Sequence, residues 1–272
     1  MRRSFATDPL PDELVDALAA VRDRLAPLAE QVMFLHRTGS TNDVALTLAA
    51  EGAAEGFVVI ADEQTSGRGR QGRAWHSPAG SGLYVSIVLR PSLAPRDGVR
   101  ITSLLTLAAG VALAEGVEAV TALSAEIKWP NDLLIGRRKL AGILAESAAS
   151  DLAYVVLGYG INVRTREWPP DIQQRATSLE SELGRSIDRW VLCAETMAAV
   201  SRRYRDLVDG RFDAILDAWR RRSPSSRDAR VAWQTPAGSV SGITAGIDDQ
   251  GALLVRAGSG VERIVGGAVT WT

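Results

Sequence analysis

The sequence predicts an α+β protein: a mixed β-sheet with helices, followed by a small all-β domain. Three observations carry this. Strand-like and helix-like runs do not alternate regularly as in a doubly wound parallel sheet. A polar, glycine-rich stretch of about twenty residues (62 to 82) interrupts the early pattern. After a charged Ser/Pro-rich segment near residue 225, only short β-type runs and turns remain.

The elements follow in order. Asp12 to Glu30 repeats Leu14, Val15, Leu18, Val21 and Leu25 among acids and arginines, which predicts one amphipathic helix. Val32 to His36 reads as a strand, Asp43 to Glu51 as a helix opened by the cap-like Ser40-Thr41-Asn42, and Phe57 to Ala61 as a buried strand. Beyond the glycine-rich stretch come a strand from Leu83 to Leu89 and a long apolar helix from Ile101 to Gly116. Strands Ile127 to Ile135 and Leu140 to Glu146 flank the turn Gly136-Arg137-Arg138, and Tyr154 to Leu157 is a strand ending at Gly158-Tyr159-Gly160. Helices are predicted over Ile187 to Leu207, with Trp190 and Val191 on the apolar face, and over Phe212 to Arg221. Arg220 to Asp228 reads as a linker. The resulting organisation is an N-terminal helix (1–30), a main domain (31–225) and a small β domain (226–272).

Composition narrows the function. With 272 residues, 46% apolar and 23% charged, the chain can bury a large core. No run of 18 apolar residues occurs, and Met1-Arg2-Arg3-Ser4 lacks the apolar segment of a secretory leader, so the expected compartment is the cytoplasm, with no membrane partner. Cys193 cannot form an internal disulfide, and with His36 and His76 it cannot build a zinc site of the Cys/His type. A net charge of -1 argues against a dedicated nucleic-acid binder. Of 31 basic residues only Lys128 and Lys139 are lysines, and they sit in one short segment, which marks places where a compact ammonium is preferred to a guanidinium.

The loop Gly67-Arg68-Gly69-Arg70-Gln71-Gly72-Arg73 matches G-x-G-x-x-G, but an alternating strand follows it where a dinucleotide fold requires a helix, and no Lys-Ser or Lys-Thr pair makes it a Walker loop. Its glycines and three arginines suit a phosphate or carboxylate, and equally a solvated basic loop. Lys139, entering a strand after a tight turn, can neutralise a carboxylate and a phosphate together, or be a plain turn cation; Trp129 alone reads as a core aromatic.

Six ordered motifs sharpen this: Gly39-Ser40-Thr41-Asn42, the segment Glu63 to Trp75, Gly82-Leu83-Tyr84-Val85-Ser86, Lys128-Trp129-Pro130-Asn131-Asp132, the run Arg138 to Leu144, and Gly158-Tyr159-Gly160-Ile161-Asn162. In this order they resemble the biotin protein ligase family over about residues 35 to 165, and Gly246 to Leu253 is similar to that family's small C-terminal domain. The resemblance implies a class II synthetase-like biotin/lipoate ligase catalytic domain with an SH3-like C-terminal β-barrel. It implies activation of biotin by ATP with Mg²⁺, and transfer to a lysine of a biotin carboxyl carrier protein. Lys139 and Arg70 are the implied catalytic residues. Biotin is implied to contact Ser40, Thr41, Asn42, Gln64, Arg68, Gly69, Arg70, Tyr84, Lys139 and Gly142, with Trp75 and Tyr84 walling its chain. ATP is implied to contact Arg68, Arg70, Arg73, Trp75, Lys128, Asn131, Lys139 and Asn162, while Asp132 either organises Mg²⁺ or caps a turn. The family's longer members carry an N-terminal DNA-binding domain; here about 30 residues with one helix precede the motifs, so a short form without nucleic acid, monomeric or a weak homodimer, is expected. Alternatives are a lipoate or octanoate ligase and a non-catalytic biotin- or carrier-binding module.

Overall fold

The computed structural model describes residues 7–91, 97–148, 151–164, 167–235 and 238–271. Met1 to Ser4, read above for a leader, lies outside them. A seven-stranded mixed sheet forms the centre, in the order β1(Val32–Thr38), β2(Val58–Gln64), β3(Gly82–Leu89), β7(Asp151–Asn162), β6(Arg138–Ala148), β5(Asp132–Ile135), β4(Glu126–Lys128). Only β1 and β2 run parallel; the remaining pairs are antiparallel.

Both faces of the sheet are covered at its centre, which explains the buried run of β3. Leu83, Val85, Ile87 and Leu89 enter the larger core with α4(Gly98–Thr121) and α6(Arg189–Val208). Val88 meets α3(Thr41–Ala50) on the opposite face through Val44, Ala45 and Ala49. Asp97 opens α4 by accepting from Arg100 N, and Ala122 closes it in the left-handed conformation (φ 58°). By length and composition α4 would cross a membrane, yet 72% of its most apolar window is buried inside the protein: it is the core helix. Cys193 lies in the same core, where burial pushes its thiol up to about 12.

Several elements differ from expectation for identifiable reasons. The N-terminal helix breaks at Val21 into α1(Asp12–Ala20) and α2(Arg22–Leu25), with Pro27 two residues beyond. Val21, Leu25 and Leu28 nevertheless continue the buried stripe of Leu14 and Ala17, so the apolar period hides the break. Val15 and Val191, counted on apolar faces, are exposed. Ile127 to Ile135 is a hairpin, because the chain turns at Trp129, Pro130 and Asn131 between β4 and β5 and pairs Lys128 with Asp132. The strand assigned to Tyr154–Leu157 continues through Gly158-Tyr159-Gly160 to Asn162. A short helix, α5(Leu179–Leu183), carried no usable periodicity.

The segment read as a linker is a buried corner. After α7(Phe212–Arg222), Pro224–Ser226 forms one 3₁₀ turn and β8(Arg227–Thr235) begins at once. Ser223 and Ser226 are 1% and 3% exposed, and Ser226 Oγ donates to Ser223 O at 2.6 Å. A small hydroxyl such as that of Ser226, satisfied on the backbone, can be buried without an apolar signature, whereas the buried Ser223 Oγ has no hydrogen-bond partner. The C-terminal strands β8, β9(Gly238–Ile247), β10(Leu253–Ala257), β11(Gly260–Ile264) and β12(Val269–Trp271) form an antiparallel sheet ordered β11-β10-β9-β8-β12. It is tied to the main sheet: Trp129 Nε1 donates to Gly251 O at 3.0 Å, and Gly251 lies against Leu104 and Leu107 of α4.

The α4–α6 contact depends on a missing side chain. A Cβ at Gly116 would stand 2.8 Å from Thr196 Cα and 3.0 Å from its N. Gly116→Ala is expected to lose about 1–3 kcal/mol of stability despite its better helix propensity, read as a lower urea midpoint with an unchanged m-value.

Candidate active site

One cross-strand row defines the site. Ala61, Tyr84, Gly160, Gly142, Asp132 and Lys128 stand opposite one another across β2, β3, β7, β6, β5 and β4. In the next row Ser86, Gly158 and Leu144 are aligned. Glycines at 142, 158 and 160 remove the side chains from the middle of this face and leave a slot. Its cleft has a volume of about 790 Å³.

Lys139 reaches the slot through a register shift. Between the pairs Leu133–Ala141 and Leu134–Lys139, β6 carries one extra residue, Leu140. Leu140 and Ala141 are consecutive yet both fully buried in the large core, and the bulge turns Lys139 onto the face of Gly142. The backbone of Lys139 is then clamped: its N–H donates to Arg175 O (2.7 Å), its carbonyl accepts from Thr177 N (3.0 Å), and Asn162 Nδ2 lies 3.3 Å from that carbonyl and 3.0 Å from Thr177 O. Lys139 Nζ is ion-paired with Asp132 at 2.6 Å and stands 5.3 Å from the Trp75 ring centroid.

At the opposite end, polar side chains interlock. Thr41 donates from its backbone N (2.8 Å) and its hydroxyl (3.1 Å) to Gln64 Oε1, while Gln64 Nε2 donates to Ser77 Oγ. Ser86 Oγ lies 2.8 Å from Thr41 Oγ1 and 2.6 Å from Asn42 Oδ1, able to donate to one of them at a time. Ser40 is the N-cap residue of α3, though its side chain makes no cap hydrogen bond.

The basic loop folds as a tight hairpin over the slot, with Gly69 N donating to Arg73 O and Trp75 N to Gly67 O. The Trp75 indole rests on the glycine floor, where a Cβ at Gly160 would meet its Nε1 at 2.3 Å. That buried Nε1 has no hydrogen-bond partner. Arg70 is partly buried and donates to Asn131 Oδ1 at 3.3 Å, and burial lowers its pKa. Asn131 Nδ2 is held by Ile143 O.

Of the expected site residues, the structure brings all but one to this cleft. The exception is Tyr84. Although it shares the row, its hydroxyl donates to Pro78 O, and its ring lines a neighbouring cavity of about 600 Å³ with His76 and Trp168. Sequence reasoning missed Ser86, Glu146, Arg137, Arg175 and the strand β12. Gly267 to Trp271 line the cleft from the C-terminal sheet, and the Lys128 ammonium stands 4.6 Å from the Trp271 ring centroid. The lysine shortage and the Lys128-Trp129-Pro130-Asn131-Asp132 motif both pointed toward Lys128; nothing pointed toward its partner 143 residues away. Among the described residues no cluster of three His, Cys, Asp or Glu could hold a metal ion. Asp132 Oδ1 is buried and its partner is the Lys139 ammonium, so a cation held at Asp132 would displace or share that ion pair and, with a single carboxylate beside it, would take most of its ligands from a bound phosphate.

A mixed sheet bearing this slot, cationic at one end and followed by a small antiparallel sheet, defines the class: residues 34–162 match the biotin/lipoate A/B protein ligase family and residues 229–269 the biotin protein ligase C terminal domain. The bifunctional ligase/repressor BirA of Bacillus spizizenii is 35% identical over 97% of this chain and 81% of its own length. The biotin--[acetyl-CoA-carboxylase] ligase of Mycobacterium tuberculosis is 36% identical over 88% of each chain. The biotin protein ligase of Aquifex aeolicus, solved in complex with biotin and ATP, superimposes with a TM-score of 0.77 at 27% identity, covering 90% of this chain and all of that one. The chain belongs to the biotin protein ligase family.

Burial lowers the pKa of Lys128 from its ordinary 10.5, the nearby Asp132 opposing and Lys139 and Arg73 reinforcing the shift. An anion needs the charged ammonium, so affinity falls as pH rises through this depressed value. Pyrophosphate binding, measured by calorimetry, is expected to weaken at a lower pH than an ordinary lysine would allow, and Lys128→Arg is expected to flatten that decline, since a guanidinium stays charged above about pH 12.

Proposed function

We propose that this protein activates biotin with ATP to biotinyl-5'-AMP and transfers the biotinyl group to a lysine of a biotin carboxyl carrier protein. The observation that carries the reading is the polarity of the slot: a neutral hydrogen-bonding end at Thr41, Asn42 and Gln64, and a cationic end at Lys128, Lys139, Arg70 and Arg73. A ligand with a urea-like head, an apolar middle and a carboxylate tail matches that order.

In the first step the biotin carboxylate oxygen attacks the α-phosphorus of ATP, the α–β bridging bond breaks and pyrophosphate leaves. Lys139, turned in by the bulge, would contact both the carboxylate and the α-phosphate, and Arg70 and Arg73 would offset charge developing on the phosphate oxygens. In the second step the ε-amine of the acceptor lysine attacks the carbonyl of the mixed anhydride, AMP departs and the amine loses its proton. No protein nucleophile is required; the residues orient and neutralise. Asp132, ion-paired with Lys139, is the residue that would hold a Mg²⁺ bound with ATP, which would supply further neutralisation of the phosphates. The name of the mycobacterial relative supports a carboxylase carrier as acceptor.

Pyrophosphate release is expected with ATP, Mg²⁺ and biotin, and not when lipoate or octanoate replaces biotin; the reverse pattern would make the protein a lipoate ligase, and silence with every acid a binding module. Lys139→Ala is expected to lower the biotin-dependent rate by about 10²–10³ with an unchanged far-UV circular dichroism spectrum. Adenylate formation at the original rate in that variant would remove Lys139 from the mechanism.

A further inference from the structure

Glu146 has no place in the chemistry above, yet two separate parts of the binding site end on it. It stands opposite Val156 on β6, two residues past Leu144 and four past Gly142, so the pleat aims its side chain at the cleft face, at the end away from Lys128. One oxygen, Oε2, accepts from Asn42 Nδ2 at 2.7 Å and from Arg68 at 2.7 Å. Asn42 belongs to the first turn of α3 and is 4% exposed; Arg68 belongs to the basic loop. The same Arg68 nitrogen lies 2.8 Å from Asp43 Oδ1.

We infer that Glu146 is a positioning residue: its carboxylate latches the Gly/Arg loop shut over the slot through Arg68 and, through Asn42, fixes the amide that faces the neutral end of the ligand. The inference rests on the biotin ligase reading and names the residue that orders its biotin end. A carboxylate suits the task because its charge strengthens both hydrogen bonds to Oε2, above all the one from the Arg68 guanidinium, whereas a glutamine oxygen could accept the same two donors but without the charge. Asp43 does not replace it, since its side chain is 57% exposed and no hydrogen bond joins it to Asn42. The Arg68 side chain is itself 38% exposed, so that ion pair is screened by solvent and can open. The Asn42 bond lies deeper and sets the orientation of the amide, whose Oδ1 sits beside Ser86 Oγ. Glu146 touches no reacting atom, so its loss acts on capture of the acid and not on phosphoryl transfer.

The test uses the full chain with Glu146→Ala, Glu146→Gln, Arg68→Ala and the Glu146→Ala/Arg68→Ala pair. Three quantities are read: KM for biotin and kcat by pyrophosphate release, the rate of tryptic cleavage at the loop arginines, and the thermal midpoint. Glu146→Ala is expected to raise KM for biotin about tenfold with kcat within about twofold, and to speed cleavage between residues 68 and 73. Glu146→Gln is expected to recover part of KM, and the double variant to raise KM over the original by less than the product of the two single effects. A KM within twofold of the original, an equal fall in kcat, or a lowered thermal midpoint with unchanged loop cleavage would overturn the latch. Absence of biotin-dependent pyrophosphate release by the unaltered enzyme would instead sink the ligase reading, and the cleavage rates would still decide whether Glu146 holds the loop.

Discussion

The cleft depends on the strict two-residue period of β-structure. Because side chains alternate across a sheet, the residues aligned over six strands share one face, and the positions occupied by glycine decide where a ligand can lie against the backbone. Gly142, Gly158 and Gly160 open the floor while the other face of the same strands is buried in the large core with α4 and α6. A shift of one residue in any strand would put Leu83, Val85 and Ile161 into the slot and the glycines into the core. The large core therefore does more than stabilise: it holds the register on which the site is written. A local departure from that period, the extra residue Leu140, is what brings Lys139 to the ligand side.

Charge is distributed along the slot with a clear direction. Arginines and lysines crowd one end, while carboxylates and amides that satisfy one another occupy the other. Neutral hydrogen-bonding groups buried in a protein are costly unless paired, and Thr41, Asn42, Gln64 and Ser86 are paired before any ligand arrives, so little reorganisation accompanies binding. The unpartnered indole nitrogen of Trp75 is the exception, and it sits at the end of the basic loop and not on the sheet.

Much of this was legible in the sequence, and what was not has physical causes. Strands and helices of strong period were placed within a few residues, because burial on one face leaves a readable pattern. The motif residues converge because they lie on neighbouring strands whose spacing the sheet fixes. The glycines of Gly158-Tyr159-Gly160 read as a turn, since a residue that lacks a side chain for a ligand looks identical to one that lacks it for a turn. Glu146 only closed a predicted strand, the ring of Tyr84 lines the neighbouring cavity because alternation gives the face and not the lateral direction of a long side chain, and the serines of the corner before β8 resembled a linker. The contribution of β12 was invisible for a simpler reason: tertiary docking across more than a hundred residues leaves no local trace.

That docking has a thermodynamic consequence. The walls of the cleft come from segments as far apart as Ser40 and Trp271, and the hydrogen bond from Trp129 to Gly251 fastens the last of them in place. No partly unfolded form in which the C-terminal sheet has come away retains the complete cleft, so the free energy of ligand binding is released only in the fully assembled chain. By linkage, occupancy of the slot is then transmitted to the docking of a sheet that makes its own contacts elsewhere, and main sheet and C-terminal sheet melt together when the ligand is present even where they would come apart without it.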